Sequence, residues 1–117
     1  MRILVSGSLA YDRIMDFNGR FKDHILPHKI HVLNVSFHVY TFRQSFGGTS
    51  GNIAYNLALL REKPVVLSAY GNDFTEYASW CRKHKVNFSY AKKVKDLPTA
   101  SAYIITDKSD NQITGFF

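Results

Sequence analysis

The sequence has 117 residues, one domain's length with room for a single core, and its 45% hydrophobic and 21% charged content belongs to a globular chain, not a disordered one. Its formal net charge of +6 lies largely in Arg82, Lys83, Lys85, Lys92, Lys93 and Lys95 around Val86–Tyr90; with no recognised nucleic-acid motif, these read as a solvated face and no nucleic-acid partner is expected. No apolar stretch reaches membrane-spanning length, no cleavable leader is apparent, and the single Cys81 excludes an internal disulfide and a multi-thiolate metal site, so a cytoplasmic chain without a membrane partner is expected.

Arg2 to Ser6 is an apolar run ending at Gly7, which fits a buried strand of an α/β sheet. Open α/β sheets bind ligands beyond the carboxyl ends of their strands, and Ser8 and Asp12 start there. Asp12 also suits an ordinary turn or cap. Tyr11 to Phe17 suits a second strand, closed by the turn at Asn18-Gly19. His24, His28 and His31 invite a metal reading, but Pro27 interrupts any helix that would align them and no carboxylate cluster accompanies them, so no metal site is expected.

Val35 to Phe46 alternates as a half-buried strand and runs straight into Gly47-Gly48-Thr49-Ser50-Gly51-Asn52. Three glycines there precede a helical pattern in which Ile53, Leu57 and Leu60 share one face, with Ala54 and Ala58 beside them. Glycine lets backbone approach a ligand closely, and a helix N-terminus offers unpaired N–H groups and partial positive charge. Asn52 in the first turn both donates and accepts, so the corner suits a polyol or an anion.

Pro64 to Tyr70 reads as the next strand, and Asp73 with Glu76 as a capping box opening a helix from Phe74 to about His84. Cys81 falls at helical spacing with Phe74, Tyr77 and Ala78 and is expected to be buried packing. Lys85-Val86-Asn87 turns into a third sheet strand, and Ser101–Thr106 with Gln112–Phe117 forms a hairpin around the polar turn Asp107–Asn111. The order β, two irregular strands, α, β, α, β predicts an α/β layered sheet with a strand-rich insertion. Because Gly115-Phe116-Phe117 stops inside a strand pattern, the chain is expected to be the N-terminal part of a longer protein.

The run Gly7-Ser8-Leu9-Ala10-Tyr11-Asp12, the Gly47-Gly48…Asn52 corner, Gly71-Asn72-Asp73-Phe74 and Thr99-Ala100 together resemble the PfkB, ribokinase-like family. Phe17–Phe21, Leu26-Pro27 and Val35-Ser36-Phe37 look most like its bacterial and archaeal adenosine and nucleoside kinase branch. That resemblance spans essentially all residues from 1 to 117. It implies a Rossmann-like α/β layered sheet with a small β-sheet lid, formed here by about 11–17, 36–45, 100–107 and 112–117. It also implies transfer of the ATP γ-phosphate, with Mg, to a primary hydroxyl of a nucleoside or small sugar. By resemblance Asp12 accepts from ribose hydroxyls, Gly47 and Gly48 let the sugar approach the backbone, and Asn52 contacts it from the helix start. Ser8 and Ser36 are second contacts or turn residues.

Two departures accompany the likeness. The family's catalytic base lies in a Gly-x-Gly-Asp motif that these residues lack, so no catalytic residue is expected in this chain, and the ATP site is missing with it. The sugar-kinase Asn two residues ahead of Asp12 is Ala10. A reading from another class stays open: a non-catalytic module that binds polyols, or forms a homodimer through its lid. Within the kinase reading the lid strands carry Phe37, Tyr40, Phe42 and Tyr103; alternation lets only some of them point inward, with Tyr103 facing away from the side that Ala102 leaves bare, and this aromatic supply favours a nucleoside over free ribose.

Overall fold

The computed structural model describes residues 1–117. Its strands and helices are β1 (Arg2–Ser6), β2 (Ala10–Phe17), β3 (Val39–Gly47), α1 (Thr49–Leu59), β4 (Lys63–Leu67), β5 (Ala69–Tyr70), α2 (Thr75–Lys83), β6 (Lys92–Lys93), β7 (Ala100–Thr106) and β8 (Gln112–Phe116). They make two parts: an α/β body and a separate four-stranded sheet.

In the body, β1 and β4 pair in parallel from Arg2↔Lys63 to Ser6↔Leu67, which requires a crossover connection, made here through α1. The third strand expected at Val86 shrinks to a single bridge between Val65 and Asn87. Asn87 Oδ1 accepts from the Ser89 N–H at 2.9 Å, an Asx turn that bends the chain away before pairing can extend. Pairing resumes only over Ala69–Tyr70 with Lys92–Lys93.

The second sheet has the order β3-β2-β7-β8. Its central pair is parallel, with Asp12 opposite Ala102, while β3 and β8 flank it antiparallel. The β7–β8 hairpin forms as expected, and its turn closes on Asp107, whose carboxylate accepts from the N–H groups of Phe21, Ser109 and Asn111 at 2.8–2.9 Å. Ser36 falls outside β3, which begins at Val39, because Phe37 turns in to pack on Phe17 and Phe21.

Leu9 and Tyr11 from the root of β2 share one core with Ala54, Val66, Phe74, Tyr77, Ala78, Cys81 and Val86. That shared core joins the two parts. Helix α1 buries Ser50, Gly51 and Ala54, whereas Ile53 and Leu60 are exposed. The small residues, not the large ones, form its inner face, because the Tyr77 side chain arrives against Gly51. The expected capping box at Asp73 and Glu76 is absent: α2 starts at Thr75 with no side-chain cap. Asp73 Oδ1 is taken by the Thr99 N–H at 2.7 Å, and its backbone carbonyl accepts from Tyr11 Oη at 2.8 Å. Asp73 therefore fastens the roots of β2 and β7 to the body instead of capping the helix.

Candidate functional site

Where the two sheets meet lies a hollow of about 350 Å³, lined among others by Ser8, Asp12, Gly48, Asn52, Ala102 and Phe116. Four of the six residues singled out from the sequence, Ser8, Asp12, Gly48 and Asn52, face it together. Gly47 lies directly behind Asp12: a Cβ on Gly47 would fall on the Asp12 carboxylate. Ser36 is exposed on the segment before β3 and is not among the lining residues.

The glycine corner is shaped by contacts that admit no side chain. Gly48 precedes α1 with φ +86° and ψ 150°, a region that residues with a Cβ avoid. A Cβ there would lie 2.5 Å from the Ser8 carbonyl oxygen and 2.7 Å from the Ala10 nitrogen. Ser8 in turn serves the start of α1. Its Oγ accepts from the Thr49 N–H at 3.0 Å, and its carbonyl accepts from the Ser50 N–H at 3.0 Å and Ser50 Oγ at 2.7 Å. The loop after β1 thus supplies the cap that Gly48, lacking a side chain, cannot.

Asp12 differs from the other half-buried or buried acids. Asp16 is engaged by Thr41, Thr106 and Arg43, and Asp107 by its turn. Both carboxyls are held below the ordinary carboxylate value by those hydrogen bonds, Asp107 at about 2. The Asp12 carboxylate has no hydrogen bond or ion pair, and burial alone pushes its pKa up. A partly desolvated carboxylate facing a hollow without a partner holds unspent capacity to accept hydrogen bonds. The hollow beside Asp16 is larger, about 460 Å³, but its acid is already satisfied by Thr41 and Thr106.

The aromatic groups divide between the two faces of the lid, Tyr103 facing away from Asp12 as expected. Alternation along β2 puts Ala10 and Asp12 on one face and Tyr11 and Arg13 on the other. Phe42 pairs with Met15, and Tyr103 pairs with Arg13, whose guanidinium lies 5.4 Å from the Tyr103 ring. Both therefore belong to the face away from Asp12. Phe37 is taken up by Phe17, Phe21 and His24, and Tyr40 packs against His38. The strand aromatic on the Asp12 face is Phe116, opposite Ala102, which is opposite Asp12, and Phe117 after it also lines the hollow. Phe116 is 84% exposed. Sequence reasoning missed it, since the β7–β8 register that sets its face cannot be read from the hairpin pattern alone.

His24, His28 and His31 are not gathered with carboxylates, and no three His, Cys, Asp or Glu side chains come together in a metal-binding group. No helix is long and apolar enough to cross a membrane.

Residues 7–117 match the pfkB family carbohydrate kinases. The chain belongs to that family. Among its pfkB relatives, a nucleoside kinase of Methanocaldococcus jannaschii is 32% identical over 85 residues, covering 71% of this chain and 28% of that protein. The structure of the Burkholderia thailandensis nucleoside kinase in complex with inosine superposes with a TM-score of 0.84 at 38% identity, covering 100% of this chain and 36% of that one. The M. jannaschii enzyme's structure, an archaeal member of the ribokinase family, gives 0.82 at 28% identity over 99% and 36%. The fold is thus the ribokinase-like α/β arrangement, of which this pfkB chain spans about a third of its relatives' length.

Proposed function

We propose that this chain forms the substrate-binding part and lid of an ATP-dependent kinase that phosphorylates the primary hydroxyl of a nucleoside. The observation that carries the reading is the unpartnered Asp12 carboxylate, sunk beside Gly47 in a hollow that Ser8, Gly48 and Asn52 also line. A carboxylate and an amide together hold a vicinal diol, the carboxylate accepting from both hydroxyls and the Asn52 amide donating or accepting beside it. Holding the ribose in this way orients its remaining hydroxyl for transfer, which is what phosphoryl transfer requires of its acceptor site.

The four-stranded sheet serves as the lid in this reading, with strands at 10–17, 39–47, 100–106 and 112–116. A nucleoside is favoured over free ribose by the row Asp12–Ala102–Phe116. Two strand spacings separate its ends, roughly 10 Å, about the reach from a ribose to the far side of its base. Small Ala102 leaves the middle of that row open, and the exposed Phe116 ring offers a stacking surface. Inosine bound to the Burkholderia relative agrees with such a substrate.

In this reading the sites for ATP and Mg²⁺ lie mostly outside this chain. No carboxylate cluster is present for the cation, and the Asp12 hollow presents an anion that would repel a triphosphate. Bound elsewhere in the complete kinase, ATP would supply the phosphoryl group. The residues described here bind and orient the acceptor. A competition assay on the complete protein with adenosine, inosine, cytidine and ribose tests the reading. Highest catalytic efficiency for one of the nucleosides is expected; ribose or a sugar phosphate winning clearly would overturn it.

A further inference from the structure

Tyr77 lies on α2, outside the hollow, and is fully buried. Its ring is fixed by Tyr11, Phe46, Phe74 and Trp80 at centroid distances of 5.0–5.7 Å. Its hydroxyl reaches past α1, where a Cβ on Gly51 would fall on it, and donates to the Gly47 carbonyl at 2.6 Å. The phenol is held protonated by burial, so it remains a donor throughout the physiological range. Simple core packing would not need this hydroxyl, and Gly51 at the inner face of α1 is the gap that admits it.

The consequence follows from the planarity of the peptide. In a trans peptide the C=O and the next N–H point in opposite directions. With the Gly47 carbonyl drawn into the core by Tyr77, the Gly48 N–H is turned the other way, to the side where Gly48 lines the Asp12 hollow. No backbone carbonyl accepts from that N–H. It is a free donor beside a free acceptor.

We infer that Tyr77 is a positioning residue for the acceptor substrate: by fixing the Gly47–Gly48 peptide it aims the Gly48 N–H at a hydroxyl of the sugar that Asp12 holds. The inference rests on the substrate reading of the Asp12 hollow. Its effect is on acceptor binding and passes through the backbone, since the Tyr77 side chain touches no substrate.

The test compares Tyr77→Phe, Gly51→Ala, Asp12→Asn and Val66→Ala in the complete protein. Tyr77→Phe keeps the ring and removes the hydroxyl, and Gly51→Ala displaces the hydroxyl from the opposite side. Both should raise KM for inosine or adenosine about five- to tenfold, the worth of one hydrogen bond, with KM for ATP unchanged. Val66→Ala removes volume from the same core without touching the corner, so it should lower the melting temperature while leaving both KM values as they are. A nucleoside KM that is unchanged in Tyr77→Phe, or in Gly51→Ala should the former not fold, overturns the role of Tyr77 if Asp12→Asn still raises it. If Asp12→Asn also leaves nucleoside KM unchanged, the substrate reading falls and this inference with it. Equal KM shifts for ATP and nucleoside, or a nucleoside shift in Val66→Ala as large as in Tyr77→Phe, would reduce Tyr77 to core packing.

Discussion

Gly48→Ala should be among the most damaging single-methyl changes in this chain. Two independent costs add. An alanine at φ +86° and ψ 150° occupies a region that is essentially glycine-only, worth about 1–3 kcal/mol. The added Cβ also meets three backbone atoms, the Ser8 O and C and the Ala10 N, at 2.5–2.8 Å. Backbone could give way only by moving Ser8, yet Ser8 is held by the Thr49 N–H, the Ser50 N–H and Ser50 Oγ. Overpacking against such a fixed neighbour costs about 1–3 kcal/mol more. The sum, about 2–6 kcal/mol, is a large fraction of a domain's usual stability of about 5–15 kcal/mol. Urea unfolding of the complete protein, wild type against Gly48→Ala, measures it. A loss below about 1 kcal/mol would refute the reasoning, because it would mean that the corner is not pressed against the Ser8–Ala10 backbone.

Phe116→Ala should weaken nucleoside binding by about 1–3 kcal/mol and leave ribose binding nearly unchanged, read by calorimetry with both ligands; equal losses for the two would remove the ring from the base subsite. Asp107 carries a folded-state pKa of about 2 against an ordinary 3.8, so its contribution to stability is fully present above 3.8 and is lost as pH falls toward about 2. Asp12, raised by burial, acts in the opposite sense on stability: the folded state gains from its protonation as pH falls. Stability should therefore fall less steeply across this acid range in Asp107→Asn, the rest of the slope coming from other lowered carboxyls such as Asp16, and an unchanged slope would count against the hairpin clasp. The isolated 117-residue chain should form no nucleoside monophosphate from ATP and adenosine, since it contains no Gly-x-Gly-Asp segment; product in a radiometric assay would contradict that.

The longer strands β1, β2, β3, β4, β7 and β8 and both helices were legible because their signals are local: β-branched runs, alternation, and glycines ahead of a helical pattern; the strand expected at Val86 shrank to one bridge and the short β5–β6 pair was not read. The glycine corner and Asp12 were legible for the same reason, lying where strand ends meet a helix start. What escaped depended on partners distant in sequence. Asp73 looked like a helix cap from its spacing to Glu76, but its carboxylate goes to Thr99, 26 positions on. The apolar face of α1 was assigned by residue size, yet Gly51 and Ala54 turn inward because Tyr77 occupies the space beneath them. Tyr103 faces away from Ala102 as alternation implied, but Phe42 is put on the far face too by its cross-strand partner Met15, and Phe116 takes the near one. Glycine in the first turn of a helix, as at Gly51, was the one sequence signal that could have pointed to Tyr77.

The central claim is that the free Asp12 carboxylate holds the ribose diol. Calorimetric titration of the complete protein with inosine and with 2′,3′-dideoxyinosine, in wild type and in Asp12→Asn, measures that contact and little else. Hydrogen bonds to a charged group are worth about 2–3 kcal/mol here, so wild type should bind inosine roughly 30- to 150-fold more tightly than the dideoxy analogue. Asp12→Asn should lose most of that preference while its affinity for the analogue stays close to that of wild type. Undiminished discrimination between the two nucleosides in Asp12→Asn would contradict the account.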